Sequence, residues 1–412
     1  MAAMRIRALA PAAALGALLA AGALAGAAAA APFSWEDRYG WRLAAAGPLD
    51  PRPAPDEPLP PTREAPPWIS ADAAVLIDGR SGRVLYARAA HERRDPASTT
   101  KIMTAVLALE LGDADDIVRV SPRAAGTPGS AAGIAGGDRY RLADLLRGLM
   151  LSSGNDAATA IAEHFAGSVP AFAALMNDKA RALGLRDTFY RNPHGLTAEG
   201  HVTSAYDLAQ LARYALTLPE FAQLVRMRQA EMAGLDRYGR SVLMRLGNTN
   251  QLLLTYDWVT GVKTGTTSRA GNCLVASASR DGEDLIAVVL HSDDRWRDSL
   301  ALLEWGFKEF RSERVARAGE TVAYVPVNGG RARRVAALAA ADLQVAVSDV
   351  EAAEVEVVVQ VAPELTAPVR RGQTVGRLVV RSGATVLARV PLVAAADVGR
   401  RAFWSLIGGA MR

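Results

Sequence analysis

The chain contains 412 residues, too many for one ordinary domain and a suitable length for two. Half of its residues are hydrophobic and 22% are charged, which excludes a disordered polyelectrolyte. The single cysteine, Cys273, excludes an intrachain disulfide, and the five histidines form no metal-ligand cluster, so we expect neither a metal nor another cofactor.

Residues 1–31 have the pattern of a secretory signal peptide. Arg5 and Arg7 precede an uncharged stretch rich in alanine and leucine, which ends in small residues before Pro32. The alternative is an uncleaved anchor, since residues 8–31 are long enough to span a bilayer. Cleavage would remove two arginines and no acid, lowering the net charge from +4 to +2. We therefore expect a periplasmic protein that does not bind nucleic acid.

Residues 32–68 form a predicted proline-rich linker. Nine prolines lie between Gly47 and Trp68. Proline removes a backbone donor and fixes φ, so this composition favours an extended spacer rather than part of a core.

Helix and strand patterns alternate over residues 69–312. The sequence predicts a hairpin over 73–88, helices over 99–111, 142–151, 157–165, 169–183 and 205–216, strands over 261–265, 272–279 and 285–291, and a closing helix over 298–310. Strands at both ends with helices between them indicate one antiparallel sheet completed by the two ends of the region. The predicted class is therefore α+β.

Residues 313–396 predict a small all-β sandwich domain, because short β-branched runs recur between turn residues. Residues 397–412 predict an amphipathic helix. Arg400 and Arg401 precede apolar side chains that share one side of a helix, namely Phe403, Trp404, Ile407 and Met411. Such a helix could lie on a membrane surface or dock on its own domain.

Ser98 and Lys101 form a Ser-x-x-Lys motif at the start of a predicted helix. Pro96 interrupts any preceding helix, so Ser98 opens the next one and Lys101 lies one turn further on the same side. A buried lysine can lose its charge and accept the serine proton, whereas an arginine keeps its own proton. The alternative is a helix cap followed by a surface lysine, which this motif alone does not exclude.

Ser153-Gly154-Asn155 lies between two apolar helices. There it would present a second hydroxyl and an amide to a cleft, or serve only as a turn between helices.

A third motif, Lys263-Thr264-Gly265-Thr266, lies in a predicted strand. A glycine in a strand lets another backbone approach closely, as a peptide substrate would require. The lysine and the two threonine hydroxyls suit a carboxylate. The alternative is a strand entering a turn.

The three motifs together are far more specific than any one of them, and a closely similar ordered set marks class A β-lactamases and penicillin-binding proteins. The lysine count adds weight, because lysines make up only four of the 47 basic residues. Two of the four, Lys101 and Lys263, occupy the positions that the motifs require. The other two, Lys179 and Lys308, are expected on the surface.

With these motifs, the chain resembles the low-molecular-mass penicillin-binding proteins, specifically the serine D-alanyl-D-alanine carboxypeptidases of the peptidase S11 family. Further support comes from four stretches: Val75–Asp78 with Gly82, Arg93–Ser98, Asn192–Leu196 and Trp305–Phe307. The resemblance implies a β-lactamase/transpeptidase-like catalytic domain at residues 69–312. It also implies that the C-terminal part rests on the outer face of the inner membrane.

The resemblance implies a catalytic role for each motif. Ser98 would attack the carbonyl between the two terminal D-Ala residues of a peptidoglycan stem peptide, and Lys101 would accept its proton. The N–H groups of Ser98 and Thr266 would form the oxyanion hole. Ser153 would relay the proton to the leaving D-Ala.

The same resemblance implies the binding residues. Asn155 would orient the substrate amide, while Lys263, Thr264 and Thr266 of the Lys-Thr-Gly strand would bind the terminal carboxylate. A β-lactam would acylate the same serine as the peptide. Some relatives carry an arginine where this chain has Tyr206, so the carboxylate arginine is left open between Arg295 and Arg297. His194 is expected to be structural.

Three alternatives differ in their sequence requirements. A class A β-lactamase needs a glutamate base, which is absent between His164 and Ala198, and it lacks a second domain. A DD-endopeptidase shares the catalytic domain but usually lacks the second one. A wall-binding module with a decayed site predicts a broken motif, and no motif here is broken.

Overall fold

The structure is a computed structural model, and it describes residues 4–7 and 59–401. Most of the predicted signal peptide and linker, and the tail from residue 402 onward, lie outside the described residues. The chain divides into two compact units. Of the described residues, one unit contains 65–308, and the other contains 4–7, Pro60–Glu64 and 309–401.

The strands in chain order are β1 Met4–Arg7, β2 Ala73–Asp78, β3 Val84–Arg88, β4 Ile117–Arg119, β5 Arg139–Arg141, β6 Gln229–Leu235, β7 Ser241–Gly247, β8 Val259–Thr267, β9 Gly271–Arg280, β10 Glu283–Ser292, β11 Phe310–Ala316, β12 Thr321–Asn328, β13 Arg334–Ala339, β14 Leu343–Ser348, β15 Val355–Val361, β16 Leu365–Thr366, β17 Thr374–Ser382 and β18 Thr385–Ala394.

The helices are α1 Lys101–Leu111, α2 Pro122–Ala125, α3 Leu142–Met150, α4 Asn155–Ala166, α5 Val169–Ala182, α6 Ala205–Leu216, α7 Pro219–Val225, α8 Gln251–Thr255 and α9 Arg295–Glu309, with 3-10 turns at Ala97–Thr100 and Ala352–Glu354. Among the described residues, no helix is both long enough and apolar enough to cross a membrane.

A five-stranded antiparallel sheet organises the larger unit, in the order β3-β2-β10-β9-β8. The first strand of the region, β2, pairs with its last strand, β10, which confirms the predicted closure of one sheet by the two ends. The strand β8 lies at one edge of this sheet and carries Lys263. That edge position leaves one side of the strand available to a partner.

Helix α1 is buried over its first eight residues, Lys101 to Ala108. A helix that is buried on all sides belongs in the middle of a core, and α1 packs against α3, α4, α6 and the 3-10 turn before it. The central position fixes the end of the helix that carries Lys101.

A second sheet in this unit, in the order β4-β5-β6-β7, was not predicted from the sequence. Two of its strands have only three residues, too few to show an alternating pattern. Its strands alternate between buried residues such as Tyr140 and Met232 and exposed residues on the other face.

The smaller unit is all-β, as predicted. Its larger sheet has the order β1-β15-β17-β18-β13-β12-β16, and β11 pairs separately with β14. Valine, alanine and leucine fill its core. Pro60–Glu64 belongs to this unit: Ser348 Oγ donates to the carbonyl of Pro61 at 2.5 Å, and Glu309 accepts from the N–H of Arg63 at 2.7 Å.

Candidate active site

The turn that carries Ser98 is tightly wound. Ala97 has φ of +47°, a left-handed value that is uncommon for a residue with a side chain, and Ala97–Thr100 forms a 3-10 turn leading into α1. Thr99 Oγ1 donates to the carbonyl of Pro96 at 2.6 Å. The sequence predicted a helix starting at Ser98, and the structure instead places the serine in this short turn.

Lys101 is fully buried and has only neutral hydrogen-bond partners. Its Nζ donates to Asn155 Oδ1 at 2.7 Å and to the carbonyl of His194 at 2.8 Å, and lies 2.9 Å from Ser98 Oγ. Burial, followed by repulsion from Lys263, holds its pKa well below the ordinary lysine value, against a smaller opposing effect of Asp156. A neutral amine has two hydrogens and one lone pair. The geometry lets it donate to the amide and the carbonyl while it accepts from the serine hydroxyl.

Ser153 lies just before α4, and Asn155 is the first residue of that helix. Ser153 is buried and has φ of +60°, a second left-handed residue at the site. Asn155 Nδ2 donates to the carbonyl of Pro128 at 2.7 Å, which leaves its Oδ1 directed to Lys101. The structure thus joins Ser98, Lys101 and Asn155 by direct contacts, and Ser153 lies two residues from Asn155.

Gly265 meets the nucleophile turn. A Cβ built on Gly265 would lie 3.0 Å from Ser98 N and 3.1 Å from the carbonyl oxygen of Pro96. The sequence predicted that another backbone segment approaches this glycine. In the structure, that segment is the turn that carries Ser98. A side chain at this position would push Ser98 away from strand β8.

Lys263 is buried on β8, and its Nζ has no hydrogen-bond partner within the described chain. Burial, followed by repulsion from Arg295, lowers its pKa to about 7. A buried amine without a hydrogen-bond partner is unfavourable unless a ligand supplies one. Its neighbour Arg295 is positive, so the ligand that fits is an anion.

Arg295 completes this positive edge, whereas Arg297 does not. Arg295 Nη1 donates to Thr266 Oγ1 at 2.7 Å and to the carbonyl of Gly265 at 2.9 Å. Arg297 stacks over Trp68 instead. Of the two arginines that the sequence left open, Arg295 is the one that contacts the Lys-Thr-Gly strand.

Thr264 and Thr266 have different surroundings on β8. The hydroxyl of Thr264 lies 2.7 Å from that of Thr249, which precedes α8. The hydroxyl of Thr266 donates to the carbonyl of Gly265 at 2.8 Å. Thr249 was not among the predicted site residues, and its neighbours in the chain carry no signal for this contact.

His201, which the sequence analysis also did not identify, contacts the Ser-x-x-Lys motif through Thr100. Its Nδ1 accepts from the N–H of Arg191 at 3.0 Å, and its Nε2 lies 2.9 Å from Thr100 Oγ1. Burial lowers its pKa to about 4, so the ring is neutral at pH 7. Because Nδ1 is an acceptor, Nε2 carries the proton and donates to Thr100, next to Lys101.

Asp156 is a further residue that the sequence did not single out. Its buried carboxylate accepts from the N–H groups of Ala132 at 2.8 Å, Gly133 at 2.9 Å and Ile134 at 3.2 Å. These bonds anchor the loop that also contacts Asn155 through the carbonyl of Pro128. Asp156 therefore positions the Ser-x-Asn turn.

His194 contributes to the site through its backbone. Its carbonyl accepts from Lys101, and its Nδ1 accepts from the N–H of Leu196 at 3.2 Å. Burial lowers its pKa to about 3, so the ring is neutral. These contacts are consistent with the predicted structural role.

Three other sequence predictions concern Lys179, Lys308 and Cys273. Lys179 was expected on the surface, and that is wrong: it is buried, and its Nζ donates to Glu110 at 2.7 Å. Lys308 is exposed, as expected. Cys273 is buried on β9, where desolvation raises its thiol pKa to about 11, so it belongs to the core.

Comparisons with known proteins agree with this site. Residues 61–294 match the peptidase S11 family, described as D-alanyl-D-alanine carboxypeptidase, and residues 310–400 match the C-terminal domain of penicillin-binding protein 5. The chain belongs to the peptidase S11 family, and it is a serine hydrolase of the D-alanyl-D-alanine carboxypeptidase type.

Individual relatives cover most of the chain. It is 34% identical to D-alanyl-D-alanine carboxypeptidase DacF of Bacillus subtilis, over 81% of this chain and 87% of that protein. It is 34% identical to DacD of Salmonella typhimurium, over 82% of this chain and 89% of that protein. The crystal structure of penicillin binding protein 5 from Haemophilus influenzae superposes with a TM-score of 0.71 at 31% identity, covering 82% of this chain and all of that one.

Proposed function

We propose that this enzyme removes the terminal D-alanine from peptidoglycan stem pentapeptides through an acyl-enzyme on Ser98. The observation that carries the proposal is the buried Lys101, whose Nζ lies 2.9 Å from Ser98 Oγ and has only neutral partners. A lysine in that environment is a general base for a serine nucleophile.

The first chemical step is acyl transfer to the serine. Lys101 takes the hydroxyl proton while Ser98 Oγ attacks the carbonyl between the two D-alanines. The N–H groups of Ser98 and Thr266 stabilise the oxyanion, a contribution of about 100-fold or more for each donor. Ser153 relays the proton to the leaving D-alanine. Water then hydrolyses the ester and releases a shortened stem.

Recognition of the terminal carboxylate explains the positive edge of the site. Lys263 has an unsatisfied buried amine, and Arg295 contacts the adjacent Thr266. The carboxylate of the leaving D-alanine supplies the missing acceptor, with Thr264 and Thr266 donating alongside. A β-lactam carries an equivalent carboxylate beside a strained amide, so we expect penicillin to acylate Ser98.

A DD-endopeptidase that cuts cross-linked peptides is the second candidate, since it would use the same catalytic residues. The all-β unit after the catalytic one favours the carboxypeptidase, because the chain shares this arrangement with penicillin-binding protein 5, whose C-terminal domain matches residues 310–400. A β-lactamase is less well supported, because the stretch from His164 to Ala198, where its glutamate base is expected, contains no glutamate.

One assay tests the proposal and separates these candidates. Purified residues 32–412 are incubated with a stem pentapeptide and, separately, with a cross-linked dimer, and the products are identified by mass. Release of D-alanine from the pentapeptide is expected. Cleavage of the dimer alone would replace the proposal with the endopeptidase. Ser98→Ala should abolish both hydrolysis and covalent labelling by fluorescent penicillin, and persistent labelling would mean a different nucleophile.

We also propose a location for the enzyme. The signal-peptide pattern of residues 1–31 supports export to the periplasm. The apolar side of residues 403–411, next to Arg400 and Arg401, supports peripheral binding to the outer face of the cytoplasmic membrane.

A further inference from the structure

The sheet β4-β5-β6-β7 of the catalytic unit has an exposed outer face that catalysis does not use. The inner face of this sheet packs on the core, where Tyr140 and Met232 are buried. On the outer face, Arg119 lies opposite Arg139, which in turn lies opposite Leu235. In the next row, Ile117 lies opposite Arg141.

Two arginines face each other on this surface, and neither has a counter-ion in the part of the chain that the structure describes. Arg119 and Arg139 are exposed cross-strand partners, and neither has an ion pair or side-chain hydrogen bond within the described chain. Like charges directly opposite each other destabilise a sheet. Arg141 is different, since it pairs with Asp115 and Asp144. Two adjacent guanidinium groups suit an anion that can bond to both of them.

Large apolar side chains surround this pair. Exposure is 58% for Ile117, 39% for Leu235 and 61% for Leu243, and Tyr238 at the hairpin turn is 68% exposed. They are four of the eleven exposed large hydrophobic residues in the described chain, although the sheet is small. An exposed apolar patch of this kind marks an interaction surface. Arg237 and Arg240 both stack on Tyr238.

We propose that this outer face docks on an anionic lipid surface. Phosphate groups would bond to Arg119 and Arg139 while Ile117, Leu235 and Leu243 enter the boundary with the acyl chains. An aromatic residue flanked by cations, as at Tyr238, suits the level of the headgroups. Each arginine near such a surface contributes on the order of 1 kcal/mol, or about fivefold in affinity.

The size and charge of this face favour a lipid surface over a protein partner or a second copy of the chain. Four strands about 4.8 Å apart and up to seven residues long give a face of roughly 400 Å². A stable protein interface needs about 800 Å² from each partner, so the face is small for a protein partner. A second copy of the same face would bring like charges together.

The test attaches an environment-sensitive fluorophore to the sheet in the full chain. Ser241→Cys is exposed on β7, and the native Cys273 is buried with a raised thiol pKa, so labelling is selective. The matched control is Glu220→Cys, exposed on α7 of the same unit. Each protein is titrated with vesicles of 30% phosphatidylglycerol in phosphatidylcholine, with pure phosphatidylcholine, and with inorganic phosphate.

Emission from position 241 should shift with the anionic vesicles only, and that from position 220 should not shift. Adding Arg119→Glu and Arg139→Glu should weaken this response at least tenfold. The control pair Arg226→Glu and Arg314→Glu, which changes the net charge equally at exposed sites elsewhere, should change it less than twofold.

The probe distinguishes the sheet from the C-terminal tail, because it reports contact at β7 even if the tail also binds. An unshifted probe on sedimented protein would overturn the proposal, as would equal responses from the two double variants. A response to polyglutamate equal to that of vesicles would assign the face to an acidic protein instead. Stem-peptide hydrolysis should be unchanged in all of these variants, which reports an intact fold.

Discussion

Lys101 shows why this site requires an amine that can lose its proton, rather than a permanent positive charge. Its three partners are an amide oxygen, a carbonyl and a hydroxyl, none of which carries a negative charge. An ammonium ion there would have no anionic partner in direct contact, and a guanidinium could not escape that cost by losing its proton. The residue therefore has to be one whose proton can leave.

Lys101→Arg should be nearly as damaging as Lys101→Ala. Loss of a general base costs about 100- to 10,000-fold, and the arginine cannot restore it. The rate of acylation by fluorescent penicillin measures this effect. Lys308→Arg, at an exposed position, is the matched control and should be silent. Substantial acylation by the Lys101→Arg enzyme would refute the general-base role.

The pH dependence should reflect two lysines with opposite requirements. Lys101 acts when neutral, so activity rises with pH through its lowered pKa. Lys263 binds a carboxylate when charged, so kcat/KM falls as pH rises through its free-enzyme pKa of about 7. The expected profile is a bell whose alkaline limb lies near neutral pH.

Lys263→Arg tests the assignment of that limb. A guanidinium stays charged throughout the range, so the alkaline limb should move to higher pH even if the maximum activity is lower. The measurement is kcat/KM for the stem pentapeptide between pH 5 and pH 10. An alkaline limb that stays in place would show that another group is responsible.

At the scale of elements, the sequence located most helices and strands of the catalytic unit, because their periodic patterns are long. It missed β4 and β5, whose three residues cannot show a period, and the hairpin of β6 and β7. The motif residues were identifiable because their spacing is local. His201 and Thr249 were not, because their contacts join Thr100 and Thr264 across the fold.

Lys179 illustrates the same limit. Composition reveals that lysine is rare in this chain, but not which environment each lysine occupies. Lys179 on α5 donates to Glu110 near the end of α1, and Tyr214 on α6 donates to the same carboxylate at 2.5 Å. Three helices are thus joined by one buried ionic group, at the opposite end of α1 from Lys101.

Lys179→Met should destabilise the catalytic unit by about 3–5 kcal/mol, because Glu110 would keep a buried charge without its cation. Lys179→Met combined with Glu110→Leu removes both charges and should recover most of the loss. The measurement is the temperature at which penicillin labelling disappears. A double variant as unstable as the single one would contradict this explanation.

At the scale of the whole molecule, the proposed membrane role of the tail after the all-β unit can be tested by truncation. The described chain ends in pairing that belongs to that unit: Val369 and Val398 exchange backbone hydrogen bonds, and the N–H of Arg401 donates to the carbonyl of Gly329. A cut after Arg401 would preserve these bonds, whereas a cut at Asp397 would remove them. The later cut therefore separates loss of the tail from damage to the unit.

A chain ending at Arg401 should move from the membrane fraction to the soluble fraction, because it loses the apolar side chains that would enter the interface. Full-length protein with Phe403→Ser and Trp404→Ser should behave in the same way, which would show that the effect depends on apolar contact rather than length. Both proteins should keep the hydrolysis rate of the free pentapeptide. Should the intact enzyme itself prove absent from the membrane fraction, the tail would have no anchoring role and would have to dock on its own unit.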